Sequence, residues 1–143
     1  MKTPTFLTPY AAETAFYEAF EKTDLEAMMA VWEANETIVC VHPLGPRLQG
    51  LIPVRKSWRQ IFTAATRLRF HISDVHSLFE EHLAVHVVFE NITVLGAEEQ
   101  PAQPIIATNI YRRRGESWHM ILHHASPGSA GSSQRSKPSG WVH

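Results

Sequence analysis

His42 is the residue whose type and position in this chain best fit a chemical role. It ends the run Thr37–His42 and stands directly before Pro43. The β-branched and apolar residues of that run predict a strand, and the proline predicts where the strand stops. Free imidazole titrates at about pH 6.5, so a histidine held in this place can act as a general base. The alternative is a packed histidine that bonds to backbone or to a neighbouring polar group.

Cys40 lies two residues before His42 on the same face of the predicted strand. A thiol beside an imidazole would suggest a nucleophile and its base. Residues i and i+2 on a strand are about 6.5 to 7 Å apart, so we expect no direct contact between these side chains. Cys40 is therefore interpreted as a small core residue. Because it is the one cysteine of the sequence, no internal disulfide can form, and a reducing compartment is compatible.

Glu90 is the second titratable candidate, at the end of the apolar strand Ala84–Glu90 and in phase with His86. If that face lines a pocket, Glu90 would orient an imidazole or act as an acid with a pKa raised by burial. If instead the face that carries Val85 forms the core, Glu90 lies on the outer face or in a dimer interface. The pattern favours the second arrangement.

The adjacent pair His123 and His124 has the composition of a metal site. Adjacent side chains on a strand point to opposite faces, so both cannot bind one ion without distortion. A metal site built from His42, Glu90 and His124 is geometrically conceivable. We nevertheless predict no metal and no cofactor, and at most one of the two adjacent histidines in a pocket.

The hydrophobic pattern predicts the elements that must position these residues. Helical spacing predicts a helix over residues 11–20, a second helix capped by Thr23 with Glu26, and a third helix with Pro53 in its first turn. The segment GPRLQG is predicted to be a loop. After residue 67 the period changes to two, which predicts four strands in succession. This order predicts an α+β domain, with helices grouped on one face of a curved, mostly antiparallel sheet. Such a cone leaves a concavity suited to a small-molecule pocket.

Composition excludes several classes of function. The 143 residues suffice for one domain with a real core, and 44% are hydrophobic while 19% are charged. A net charge of −1 gives no electrostatic reason to expect nucleic acid or a membrane surface as a partner. No segment approaches the roughly 20 apolar residues of a membrane span, and no signal peptide is evident. We expect a cytoplasmic protein.

We also expect an N-terminal arm over residues 1–9, a domain over 10–127 and a disordered tail over 128–143, where Ser, Gly and Pro are frequent.

Two segments resemble nuclear transport factor 2-like proteins, in particular the SnoaL-like and ketosteroid-isomerase-like branch. The first is FYEAFEKTDLEAMMAVWEANETIVCVHPLGPRLQGLIPVRKSW, with an aromatic helix, a D-L-E-A helix start, a strand that ends before proline and a G-x-x-x-V-R-x-x-W helix. The second is ATNIYRRRGESWHMILHHASP, which is similar to the closing hairpin of that family. The resemblance implies a cone of three helices on a curved sheet, an apolar pocket and a homodimer formed through the sheet.

The resemblance also implies roles for individual residues. His42 occupies the position of the proton-shuttling aspartate of the ketosteroid-isomerase branch. The helix-one tyrosine of that branch corresponds to Phe16, with Tyr17 beside it, and its protonated carboxyl corresponds to Thr108 or Asn109, neither of which is acidic. The family-like His-x-Ser ending selects His124 as the histidine that faces the pocket.

The predicted function is the binding of a small apolar molecule in the cone, with acid/base chemistry of isomerase, cyclase or hydrolase type and His42 as the base. The alternative is a ligand-binding or oligomerisation module without chemistry, resembling a kinase association domain. The residues predicted to contact the ligand are Phe16, Tyr17, Trp32, Trp58, Glu90, Asn109 and His124.

Overall fold

The structure is a computed structural model that describes residues 4–100 and 103–129. Residues 130–143, most of the tail that the sequence predicts to be disordered, lie outside the described residues. The elements, in chain order, are α1 (Pro9–Lys22), α2 (Leu25–Val31), β1 (Val39–Val41), β2 (Arg47–Gln49), α3 (Leu51–Thr63), β3 (Leu68–Phe79), β4 (Leu83–Val94), β5 (Gln103–Arg114) and β6 (Ser117–Pro127). Three helices and a curved, mostly antiparallel sheet confirm the predicted α+β class.

The described strands form a six-stranded sheet in the order β2-β1-β6-β5-β4-β3. All neighbouring strands are antiparallel except β1 and β6, which run parallel. Strand β6 therefore lies between β1 and β5. This arrangement places the end of β1, just before His42, beside the His123 and His124 region of β6.

The helix ends follow the local chemistry of the chain, with one correction. The Thr8 hydroxyl accepts from the Ala11 amide and begins α1. The predicted cap of α2 is wrong by one residue: Asp24, and not Thr23, accepts from the Ala27 amide. Thr23 instead adopts a left-handed backbone with φ 50° and ends α1, so its side chain cannot also cap the next helix.

Two strands differ from the sequence prediction. The predicted loop GPRLQG contains β2, in which Leu48 pairs with Cys40 of β1. The antiparallel pairing of β3 with β4 continues well beyond Ile72, where the apolar alternation fades. The outer half of β3 is exposed, so burial does not impose a period of two on it, and backbone pairing alone continues the strand.

The three helices cover one face of the sheet and bury an aromatic core against it. Phe16 of α1 and Trp58 of α3 are fully buried, with their ring centroids 5.6 Å apart in an edge-to-face contact. Phe20 joins the same stack at 4.9 Å from Trp58. None of the described helices is both long and apolar enough to cross a membrane.

Candidate functional site

His42 lies at a cavity of about 620 Å³ between the β1–β2 hairpin and α3. The apolar residues that line it include Pro46, Leu48 and Ile61. The polar groups that line it come from His42 and from one face of α3, which carries Lys56, Ser57 and Gln60. The alternation of β1 and the helical spacing of α3 thus bring polar groups from two distant segments to one opening.

A serine fixes the proton of the His42 ring. Ser57 Oγ lies 2.9 Å from His42 Nε2 and 2.7 Å from the Val54 carbonyl oxygen. The carbonyl can only accept, so the single hydroxyl proton of Ser57 is donated to it. The serine oxygen must then accept from a proton on Nε2. His42 Nδ1 is left as a lone-pair acceptor, without a hydrogen-bond partner among the described residues.

The surroundings of His42 favour its neutral form. Burial lowers the pKa of the imidazole below its ordinary value, because a charged ring would lose hydration. The edge of Trp58 packs against the ring, with centroids 4.8 Å apart at 87°. A neutral, oriented imidazole with a free nitrogen at a cavity can accept a proton at neutral pH.

The predicted separation of Cys40 and His42 is wrong. Cys40 Sγ lies 3.6 Å from His42 Nε2, although the two residues are two positions apart on a strand. The backbone spacing of a strand does not limit side chains that bend toward each other. Cys40 is fully buried, and burial raises the pKa of its thiol far above the ordinary value, so it is not poised as a thiolate.

Glu90 faces the helices, and its predicted outer position is wrong. Only 3% of the residue is exposed, and its Oε2 accepts from the Tyr17 hydroxyl at 2.6 Å. Burial raises the pKa of Glu90 to about 7; the Tyr17 bond opposes that rise and the charge of Glu13 adds to it. The alternate face, with Val85, is the half-buried outer face of the sheet. Both faces of β4 carry enough apolar residues to look like a core, so alternation alone could not choose between them.

A buried hydrogen-bond network surrounds Tyr17 and connects α1 to the sheet. Asn109 Nδ2 donates to the Tyr17 hydroxyl and to Glu13 Oε2, at 3.1 Å in each case. Tyr111 donates to the same Glu13 oxygen at 2.9 Å. Asn109 Oδ1 accepts from His123 Nδ1 at 2.6 Å. The Asn109 side-chain amide therefore makes hydrogen bonds to residues of α1 and to a residue of β6.

His123, and not the predicted His124, points inward. Ile110 pairs with Leu122 while Tyr111 pairs with Met120, so one extra residue of β6 is accommodated at this point. That bulge shifts the phase of the strand and exchanges its faces. His123 is buried and His124 is exposed. Burial lowers the pKa of His123 to about 3, with the charges of His42 and His124 acting in the same direction.

The other residues predicted to contact a ligand are core residues. Phe16, Trp32 and Trp58 are at most 2% exposed, and of these only Trp58 contacts His42. Sequence reasoning missed Lys56, Ser57 and Gln60. Their spacing on one side of α3 was a usable signal, but its meaning depended on the position of β1.

The described residues contain no group of three or more His, Cys, Asp or Glu side chains that could hold a metal ion. The conceivable site from His42, Glu90 and His124 does not assemble. Glu90 is held by Tyr17 on the inner face of the sheet, whereas His124 is exposed on the other face.

The family follows from this cone and from a direct match of the sequence. A model of the SnoaL-like domain family matches residues 10–130. The chain belongs to the SnoaL-like family. Solved structures of nuclear transport factor 2-like proteins share its fold, which confirms the superfamily that the sequence resembles.

Three comparisons describe the relatives of this SnoaL-like domain. A candidate calcium/calmodulin-dependent protein kinase type II association domain from Thiobacillus denitrificans is 44% identical, with a TM-score of 0.83, covering 88% of this chain and 99% of that one. A candidate dehydratase of the nuclear transport factor 2-like family from Streptomyces avermitilis is 34% identical, with a TM-score of 0.73, covering 83% and 92%. The F-box protein SKIP8 of Arabidopsis thaliana is 24% identical over 116 residues, which are 81% of this chain. The chain spans about half the length of that curated relative.

Proposed function

We propose that this SnoaL-like domain binds a small, largely apolar carbonyl compound in the His42 cavity and removes a proton from it. The observation that carries the proposal is the position of Ser57 between His42 and the Val54 carbonyl. It orients a neutral imidazole and leaves Nδ1 as the proton acceptor. Loss of a proton beside a carbonyl, or from a water, is the first step of many isomerase, cyclase and hydrolase reactions.

The rest of the cavity suits the charge that such a step creates. Removal of a proton beside a carbonyl places negative charge on the carbonyl oxygen, which donors must then stabilise. The ammonium group of Lys56 and the amide of Gln60 line the same cavity as His42. The apolar residues of the lining would hold the carbon skeleton of the ligand.

A general probe of proton removal tests this proposal without knowledge of the natural substrate. 5-Nitrobenzisoxazole is a small apolar compound whose ring C–H proton passes to a base while the N–O bond breaks, which gives a coloured nitrile phenolate. We expect saturable turnover by the wild-type protein and loss of that turnover in His42→Ala. The matched control is His82→Ala, which removes an exposed histidine in the β3–β4 turn and should keep the wild-type rate.

Circular dichroism and a urea midpoint close to that of the wild type would show that His42→Ala keeps its fold. A folded His42→Ala variant that turns over the probe at the wild-type rate would overturn the role of His42. The pH profile adds an independent check, because burial lowers the pKa of His42. The wild-type rate should reach half its maximum below about pH 6.5 and remain constant at higher pH.

A second candidate function is assembly without chemistry. It is favoured by the 44% identity to the candidate kinase association domain from Thiobacillus denitrificans. Under this alternative the cavity would bind a ligand and release it unchanged. Wild-type protein that binds the benzisoxazole but does not accelerate its ring opening above buffer would favour assembly over catalysis.

We also propose that the domain forms a homodimer through the outer face of its sheet. This face carries half-buried apolar side chains on β4, β5 and β6, namely Val85, Val87, Phe89, Ile106, Ile110 and Leu122. A charge at the centre, as in Val87→Glu, should convert the dimer to a monomer in light scattering. A wild-type protein that scatters with the mass of one chain at micromolar concentration would contradict the dimer.

A further inference from the structure

A second cavity, of about 390 Å³, lies between α1 and β3. None of its lining residues lines the His42 cavity. Its aromatic residues are Tyr10, Tyr17 and Phe70, and its acidic residues are Glu13, Glu18 and Glu21. Among the described residues, no lysine or arginine lines it. This combination of aromatic faces and carboxylates is chemically different from that of the first cavity.

Glu13 gives this second cavity a buried carboxylate with an unused oxygen. Its side chain is 7% exposed. All of its described contacts converge on Oε2: Asn109 and Tyr111 donate to it, and His86 Nδ1 lies 3.1 Å away. Oε1 makes no hydrogen bond with any described residue. A nine-tenths-buried carboxylate that borders a cavity with one free oxygen is arranged to receive a donor from a ligand.

The aromatic walls are held in place by their neighbours. Tyr10, half exposed at the opening, packs on the buried ring of His86 with centroids 4.5 Å apart. Tyr17 packs against Phe70 at 5.4 Å and is fixed by its bond to Glu90. Faces of tyrosine and phenylalanine attract a cation through the ring quadrupole, and the attraction increases when the cation is desolvated.

Arg67 reaches only the margin of this site. The Arg67 guanidinium donates to the backbone carbonyl of Glu21 at 3.2 Å, and not to a carboxylate of the cavity. One Glu21 oxygen accepts from the Phe70 amide at 2.7 Å, which anchors that carboxylate at the wall. The described contacts therefore leave the Glu13 and Glu18 carboxylates without a lysine or arginine partner.

We infer that the cavity between α1 and β3 binds a small organic cation, a primary or quaternary ammonium compound. Its carboxylates supply the opposite charge, and Glu13 supplies an acceptor for the N–H of a primary ammonium or for a hydroxyl group on a quaternary one. The three rings supply faces for the alkyl or ammonium groups. The inference is independent of the proposed chemistry at His42. The two sites share no residue, so either one can fail without the other.

Glu90 gives the inference a second observable. Its pKa is raised to about 7 by burial, and it is bonded to Tyr17 at the wall of the cavity. A cation beside Tyr17 favours the charged form of a nearby carboxyl group. Binding at about pH 7 should therefore release protons. Calorimetry in buffers of different ionisation enthalpy would detect that release, and Glu90→Gln should abolish it.

The deciding experiment compares choline with 3,3-dimethylbutan-1-ol, its uncharged carbon analogue of the same shape. Isothermal titration calorimetry should show saturable binding of choline to the wild-type protein and at least tenfold weaker binding of the alcohol. Glu13→Gln should weaken choline binding about tenfold or more, because it removes the negative charge that attracts the quaternary ammonium group and weakens the hydrogen bond from the choline hydroxyl. Glu116→Gln, which removes an exposed carboxylate in the β5–β6 turn, should leave the affinity unchanged.

Two variants on exposed side chains keep the inference testable if Glu13→Gln does not fold. Tyr10→Leu should weaken choline binding about threefold, the effect of one exposed cation–π contact. Glu18→Gln should also weaken it. Equal affinity for choline and the alcohol, absence of saturable choline binding, or unchanged affinity in a folded Glu13→Gln variant would each overturn the inference.

Discussion

The raised pKa of Glu90 predicts how the stability of the domain depends on pH. Burial raises its pKa in the folded protein from 4.5 to about 7. Between these values the folded state holds a proton that the unfolded state has lost. The stability provided by the neutral carboxyl group is therefore fully present below about pH 4.5 and is lost as the pH rises through about 7.

The size of the effect follows from the width of this window. Each pKa unit corresponds to about 1.4 kcal/mol, so the rise from 4.5 to about 7 predicts a loss on the order of 3 kcal/mol. Glu90→Gln cannot ionise and still offers an amide oxygen to the Tyr17 hydroxyl. The variant should have the same free energy of unfolding as the wild type at low pH. Above the pKa of Glu90 it should be more stable than the wild type by up to about 3 kcal/mol.

The assay is urea denaturation followed by tryptophan fluorescence, at pH values spanning 4.5 to 8. The difference between wild type and variant isolates the effect of Glu90 from that of His42 and His123. His42 and His123 have lowered pKa values in the folded protein, so their contribution to stability increases as the pH rises toward 6.5 in both proteins. Glu116→Gln serves as the matched control, since its carboxylate is exposed. Parallel curves for wild type and Glu90→Gln would refute the argument.

Three further predictions concern other contacts. Ser57→Ala should lower kcat for the benzisoxazole about tenfold with little change in KM, because His42 loses its orienting partner; an unchanged kcat would contradict this role. Glu33→Gln should lower the free energy of unfolding by about 2 kcal/mol at neutral pH, because the buried Glu33 carboxylate accepts two hydrogen bonds from Arg112. A urea midpoint equal to that of the wild type would argue against this role. Gly50→Ala should lower the free energy of unfolding by about 1 to 3 kcal/mol, because φ of Gly50 is 95° and the new Cβ would lie 2.6 Å from a Glu36 oxygen. Thermal denaturation checks this, and an unchanged Tm would contradict it.

The helices and the α+β class could be predicted from the sequence because their signals are local. The apolar stripe of α1 repeats at helical spacing, and Pro53 lies in the first turn of α3. The period-two segments after residue 67 all became strands. Such patterns follow from the number of residues per repeat in a helix or a strand, which is the same in every fold.

The candidate site was only partly accessible to the same reasoning. The position of His42 before Pro43 identified it, but Ser57 lies fifteen residues further along and comes close only through the packing of α3. Glu13 carried no sequence signal at all, since it sits on an ordinary amphipathic helix. Its partners arrive from β4 and β5, roughly one hundred residues away for Asn109 and Tyr111.

The sequence by itself determined the helices and every strand except β2, and which histidine ends a strand at a proline. Only the tertiary structure decided which face of each strand meets the helices. A single extra residue in β6 turned His123 inward and His124 outward, and the helix layer placed Glu90 inside. The physical reason is that alternation shows which residues of a strand share a face. Which of the two faces packs against the helices depends on bulges and on the layer that covers the sheet.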